Sequence, residues 1–205
     1  TAELPGLYHP GEYDLVGTIV GFVERDSIID GSRIKAGDAV IGLASSGLHT
    51  NGYSLAQKAL FEMAALDAGS VLDGFTKPIS EDLLTVHRCY GSLIHNIIDA
   101  FDMRGIAHIT GGGFEGNIPR ILPNDVQVVI ETKNWEVPSI FTLIQSKGNI
   151  DTDEMYRVFN MGIGMVLICP ENQTDPLIEY CRSKGCPAYT IGICCSHTNG
   201  SKLTL

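Results

Sequence analysis

Long apolar runs are missing from this 205-residue chain, and none approaches the roughly 20 residues a membrane-crossing helix needs. No signal-peptide pattern is present either. Positive charge is scarce: 14 Lys and Arg stand against 24 Asp and Glu, a formal net charge of −10. That balance excludes the clustered cationic face required by nucleic-acid backbones. The phosphate loop ending in GK[ST] is absent. No GxSxG elbow surrounds Ser45 or Ser46, which removes a hydrolase-type serine nucleophile. None of the six cysteines (Cys89, Cys169, Cys181, Cys186, Cys194 and Cys195) lies in a CxxC pair. They read as buried free thiols of a reducing cytoplasm. The alternative, a metal site from Cys181, Cys186 and the Cys194–Cys195 pair, lacks the usual spacing, so no metal ligands are expected.

What is present suits a folded domain. Hydrophobic residues make up 44% and charged residues 19%, enough for one core and too little charge for disorder. The length fits one domain, or one plus a fragment. The chain starts at Thr1, and it is expected to be cut from something longer.

The chain is organised around Gly105 to Ile121, GIAHITGGGFEGNIPRI. A short apolar run, three glycines and a Pro-containing segment read as strand, tight turn and helix. Such a turn can present unpaired backbone N–H groups to an anion, or it can be a plain connection. The GGG run is read as lying outside the usual nucleotide fingerprints.

Around this centre, strands and helices alternate. Asp14 to Arg25 is expected to be a strand, and the nearly all-apolar Ala39 to Ala44 a strand covered on both faces. A helix is expected from about Tyr53 to Ala68, with Leu55, Ala59, Met63 and Leu66 on one face. Ser80 caps a long helix running to Arg104, with His87 and His95 packed on it. Val126 to Glu131 is a strand, and Pro138 opens a helix closed by Gly148. Asp151 and Glu154 have capping-box spacing. Asn160-Met161-Gly162 turns the chain into a strand at Ile163 to Cys169. Thr174 to Lys184 is a helix, Ala188 to Cys194 a strand, and Ser201 to Leu205 an added edge strand. The pattern predicts an α/β fold, a mixed sheet with helices packed on it.

Three polar, glycine-containing turns adjoin apolar strands: 45–52, 110–117 and 160–162. Ligands gather beyond strand ends in open α/β sheets, so the three are expected to share a cleft. His49 is the most chemical residue among them, either titrating near neutrality or stabilising its loop. Asn51 orients a substrate amide or caps the next helix. Arg120 and Arg157 match phosphate geometry but equally suit surface ion pairs. His108 reads as structural, and His9 and His197 as solvated. Residues alone lead to an α/β domain whose glycine turns bind an anionic small molecule.

Four stretches add a resemblance. TAELPGLYHPGEYDLVG, SSGLHTNGYSL, HITGGGFEGNIPRILP and EMYRVFNMGIGMVL, in this order, resemble segments of the phosphoribosylformylglycinamidine cyclo-ligase (aminoimidazole ribonucleotide synthetase) family. The resemblance covers essentially the whole chain; Leu4 and Thr50 depart from it, Met and Ser being usual. It implies a cytosolic, homodimeric enzyme of purine biosynthesis that closes an imidazole ring with ATP and Mg²⁺. It also implies that residues 1–31 are the end of an amino-terminal ATP-binding domain and 32–205 the carboxy-terminal domain. His49 matches the family's active-site histidine. Asn51 and Gly111, Gly112 and Gly113 match loops that face its cleft, and Ser46, Thr110 and Asn160 join them as substrate- or phosphate-binding candidates. Glu3 and Asp14 match acidic positions at the interdomain edge. The resemblance places most ATP and Mg²⁺ ligands in the amino-terminal domain, so this chain alone is expected to be inactive. The alternatives are an ATP-dependent small-molecule kinase of the same superfamily and a non-catalytic ligand-binding domain.

Overall fold

Every other strand is placed by reference to β1 (Ala39–Ala44), which is buried along almost its whole length. Its six residues carry no charge, so both faces can be covered without leaving an unpaired polar side chain. β4 (Ile163–Cys169) pairs with it on one side and β5 (Ala188–Ser196) on the other, both antiparallel. β2 (Gly105–His108) lies beyond β4, and β3 (Val126–Ile130) beyond β5. The six-stranded order is β2-β4-β1-β5-β3-β6, closed at one edge by β6 (Leu203–Thr204), which runs parallel to β3. The sheet is thus mixed, as expected. The computed structural model describes residues 11, 13 and 17–205; Glu3, His9 and Asp14 lie outside the described residues.

Alternation along β1 divides the interior into two layers. Val40 faces one core together with Phe114, Phe141, Phe159 and Ile144. Ile41 and Leu43 face the other, with Ile97, Leu177 and Cys181. The first layer is covered by α1 (Tyr53–Gln57), α2 (Ile79–Leu83), α4 (Gly113–Asn117), α5 (Ser139–Gly148) and α6 (Thr152–Val158). The second is covered by α3 (Gly91–Ala100) and α7 (Thr174–Ser183). Buried Asp38, 1% exposed, is held there by the Arg104 guanidinium.

Several expectations are corrected. The described part of the expected first strand, 17–24, is exposed and carries no strand; Ile19 and Phe22 face solvent. The helix from Tyr53 continues as a π-helix over Lys58–Met63 and ends there. Ala65 takes a left-handed conformation, and the buried face is Ala56, Ala59 and Leu60, with Met63 outside.

The long helix expected from Ser80 to Arg104 is two short ones separated by an irregular segment, 84–90. Tertiary contacts outweigh helical periodicity there. The Tyr90 hydroxyl donates to the carbonyl of Ala44 at 2.8 Å, and the Arg88 N–H donates to His49. Phe101 is already extended, and Gly105 opens β2 where the sequence suggested a helix stop. The capping box is not closed: Asp151 makes no side-chain cap bond, and Glu154 pairs with Arg157.

Candidate functional site

The three glycine-containing turns converge at one end of the sheet, and Asn160 joins two of them. Its Oδ1 accepts from the Ser45 hydroxyl at 2.9 Å and from the Gly162 N–H at 2.8 Å. Its Nδ2 donates to the carbonyl of Gly47 at 2.8 Å. The Ser45 N–H bonds the carbonyl of Gly162. Asn160 is 3% exposed, and its amide ties the two turns together. The third turn approaches through Asn51, whose Oδ1 lies 3.4 Å from where a Cβ on Gly111 would sit.

The 45–52 turn is strained. His49 (φ 54°) and Thr50 (φ 62°) are consecutive left-handed residues, and a β-branched residue there is an outlier. Two side chains clamp the intervening carbonyl: Thr50 Oγ1 donates to the oxygen of His49 at 2.6 Å, and Asn51 Nδ2 at 2.9 Å. Asn51 therefore holds the turn and does not cap α1.

His49 itself is 1% exposed. Its ring lies against β4 where Gly164 has no side chain; a Cβ there would sit 2.7 Å from Cε1 and 2.8 Å from Nδ1. Nε2 faces the Ser46 N–H at 2.9 Å, the Ser46 hydroxyl at 3.0 Å and the Arg88 N–H at 3.3 Å. Nδ1 is buried with no partner. The ring of His87 stacks on it with centroids 3.9 Å apart, and His108 lies 5.3 Å from His87. Burial first, then the nearby His87, His108 and Arg88, push the His49 pKa down to about 4. Burial also lowers His108. His49 is therefore neutral at pH 7, and its buried ring does not stand as an exposed general base. That corrects the expectation that it titrates near neutrality, and its bonds to Ser46 and Arg88 fit the loop-stabilising alternative.

The central turn forms where expected. Gly112 (φ 94°) precedes α4, and Gly113 is buried against α6. A Cβ on Gly113 would overlie the Tyr156 carbonyl, with its carbon 2.9 Å away. This glycine is required by helix packing, and α4, at five residues, is too short to act as an anion-binding helix end. Letter for letter, Gly111 to Gly116 does satisfy GxGxxG, against the reading of GGG as outside the fingerprints. The long helix and parallel strand that give that motif its function are missing here.

Asn117 went unnoticed in the sequence, yet it organises this turn. Its Nδ2 donates to the carbonyl of Gly113 at 2.7 Å, and its Oδ1 accepts from the Thr110 hydroxyl at 3.2 Å. Asn117→Ala is expected to lower stability by about 2 kcal/mol by leaving buried partners unmet. A urea unfolding curve checks this, and an unchanged midpoint would contradict it.

The remaining candidates separate by exposure. Arg157 makes surface ion pairs with Glu154 and Glu115, and Arg120 is exposed. His95 is exposed in α3, and His197 is half-buried beside Gln127. The cysteines are free, and burial pushes the Cys181 and Cys194 thiols up to about 12. Those two remain inert thiols at neutral pH, whereas Cys89 is exposed and departs from the expected burial.

A cavity of about 490 Å³ lies over β3 and β5 and touches none of the three turns. A smaller one of about 210 Å³ adjoins the 45–52 turn and is lined by Ser46, Gly47, Thr76, Lys77, Asp82 and Ser139. Volume favours the first, but chemistry favours the second, which holds the polar turn and a cation. Lys77, paired there with Asp82 at 3.1 Å, is a candidate that sequence reasoning missed, because nothing marks it out in a loop.

Known proteins bear on this geometry. Residues 35–201 match the family model described as AIR synthase related protein, C-terminal domain. The phosphoribosylformylglycinamidine cyclo-ligase of Syntrophus aciditrophicus (strain SB) is 50% identical over 192 residues, covering 94% of this chain and 55% of that protein. The chain thus spans about half the length of the curated relatives it matches. Thiamine-monophosphate kinase from Stenotrophomonas maltophilia K279a superposes with a TM-score of 0.58 at 16% identity, over 89% of this chain and 54% of that one. T. maritima PurL complexed with AMPPCP gives 0.50 at 9%, over 84% and 24%. These two likenesses are of fold alone. No described helix is long and apolar enough to cross a membrane. From the match to 35–201 and the identity to curated cyclo-ligases, this chain belongs to the AIR synthase related protein family and carries its C-terminal domain.

Proposed function

We propose that the chain supplies the ribonucleotide-binding side of an enzyme that closes the imidazole ring of aminoimidazole ribonucleotide. The substrate is formylglycinamidine ribonucleotide, and ATP is converted to ADP and phosphate. The observation that carries this reading is the convergence of the 45–52, 110–117 and 160–162 turns, in a chain half identical to curated cyclo-ligases. On the same reading the parent protein is a cytoplasmic homodimer, with residues 1–31 and 32–205 falling in different domains.

Within this chain, the cavity beside Ser46 and Gly47 takes the substrate phosphate. Lys77 provides the charge, and Ser46 and Ser139 provide short polar side chains. Asn160 and His49 act from behind, fixing the turn that carries Ser46. A pocket wall fixed in this way serves by positioning, because it needs no reorganisation when substrate arrives.

ATP use is supported by the cyclo-ligase relatives and by PurL bound to AMPPCP, an ATP analogue. Mg²⁺ does not fit the described residues. It requires hard oxygen ligands, and the group whose ligand atoms converge here is built of imidazoles. The ligands of ATP and Mg²⁺ belong to the part of the relatives that this chain does not span, and the chain alone is expected to release no phosphate from ATP. A kinase reading has only the 16%-identical fold likeness behind it.

The test is calorimetric titration of this chain with formylglycinamidine ribonucleotide. Saturable binding that Lys77→Ala weakens about tenfold, or about 1.4 kcal/mol, is the expected result. No saturable binding, or equal affinity in the variant, would overturn the assignment of the phosphate to this cavity.

A further inference from the structure

His49, His87 and His108 come from three separate parts of the chain: the β1–α1 turn, the irregular 84–90 segment and the end of β2. Each offers a ring nitrogen, and these nitrogens all lie within 4.8 Å of one another. Their exposure is graded, from buried His49 through half-buried His87 to exposed His108, so the cluster has a way in from solvent. A second observation is independent of this spacing: the buried Nδ1 of His49 has no hydrogen-bond partner. Buried ring nitrogens are rarely left unmet, and each one calls for an explanation.

We propose that these three histidines form a binding site for a borderline transition-metal ion of the Zn²⁺, Co²⁺ or Ni²⁺ class. Neutral imidazoles suit such ions, and three protein ligands leave a position for water or a small anion. The surroundings of His49 supply the outer support that metal-bound histidines have. The Ser46 hydroxyl gives its one hydrogen to the carbonyl of Val86 at 2.7 Å. Its oxygen, 3.0 Å from Nε2, is then free to accept from an Nε2–H, which leaves Nδ1 as a bare lone pair for the ion. In the metal-free tautomer the proton sits on Nδ1 and Nε2 accepts from the Ser46 and Arg88 N–H groups instead. Metal binding therefore moves that proton across the ring and relaxes the two backbone contacts.

The rings of His49 and His87 are now stacked nearly parallel, at 14°, so their lone pairs run side by side. Convergence on one ion takes a rotation of half-buried His87, while exposed His108 can swing freely. The ion would clamp the 84–90 segment to the 45–52 turn. This inference is independent of the ribonucleotide reading, and its test uses no substrate.

The experiment is titration of the chain with Co²⁺, read by its visible d–d absorption, followed by displacement with Zn²⁺. One Co²⁺ per chain with intensified d–d bands is expected. His87→Ala and His108→Ala should each weaken binding about tenfold or more, while His95→Ala and His197→Ala should leave it unchanged. Both critical substitutions are at exposed or half-buried positions, so the variants keep the fold, as their far-ultraviolet spectra will show. Absorption no stronger than that of free Co²⁺ would overturn the proposal. So would binding that survives both critical variants, or a sulfur-to-cobalt charge-transfer band placing Cys89 in the ligand set.

Discussion

Gly113→Ala is expected to lower stability by more than about 4 kcal/mol, while Gly111→Ala, two residues away, should change it by less than about 1 kcal/mol. The difference lies in what each Cβ would meet. On Gly113 it would be driven onto the Tyr156 carbonyl, with further contact at Arg157. Those atoms belong to the backbone of α6, which is packed through Met155 and Tyr156 into the first core, and no rotamer change can move them. The backbone at Gly113 also has φ 56°, a region costing a residue with a Cβ about 1–2 kcal/mol before any clash. On Gly111, exposed and without positive φ, the nearest atom is Asn51 Oδ1 at 3.4 Å, which can give way. Paired urea unfolding curves decide it. If Gly113→Ala unfolds at the wild-type midpoint, the close approach of α4 and α6 is wrong. If Gly111→Ala is the damaging one, the turn serves the cleft rather than the core.

This contrast also measures how much of the site was legible in the sequence. The GGG turn was visible because glycine clusters leave a compositional mark. Which glycine serves packing was not, since that depends on α6, more than thirty residues later. The sheet was legible for a related reason: AVIGLA, VQVVI and IGMVLIC are apolar runs too short for anything but buried strands. The 80–104 helix failed because Leu83, His87, Ile94 and Ile98 satisfy helical spacing, while contacts from Tyr90 to Ala44 and from Arg88 to His49 pull the backbone out of it. The same failure hid the histidine cluster. A helix would have carried His87 away from His49, and only the irregular segment lets the two rings stack. His49 was found from its glycine-flanked loop, but its burial depends on the missing side chain of Gly164 on a distant strand.

Acid should unfold this protein along a slope that His49 largely sets. Its ordinary pKa of 6.5 falls to about 4 in the folded chain. Between those values the unfolded chain binds a proton that the folded chain refuses, so stability rises with pH across the window. The contribution is fully present above about pH 6.5, declines as pH falls, and is gone below about pH 4. The difference is worth about 3 kcal/mol. The groups bearing on His49 all reinforce this direction: His87 and Arg88 from the 84–90 segment, and His108 from β2. Protonation of Nε2 would also turn the Ser46 and Arg88 N–H groups against a donor. Urea midpoints measured in EDTA at pH 7 and pH 5 give the readout. The wild-type chain should be less stable at pH 5. His49→Gln, whatever its own stability, should show a much flatter dependence, because glutamine does not titrate. An equal slope in that variant would mean that the carboxylates govern acid stability and that the His49 ring is far better solvated than its position against β4 implies.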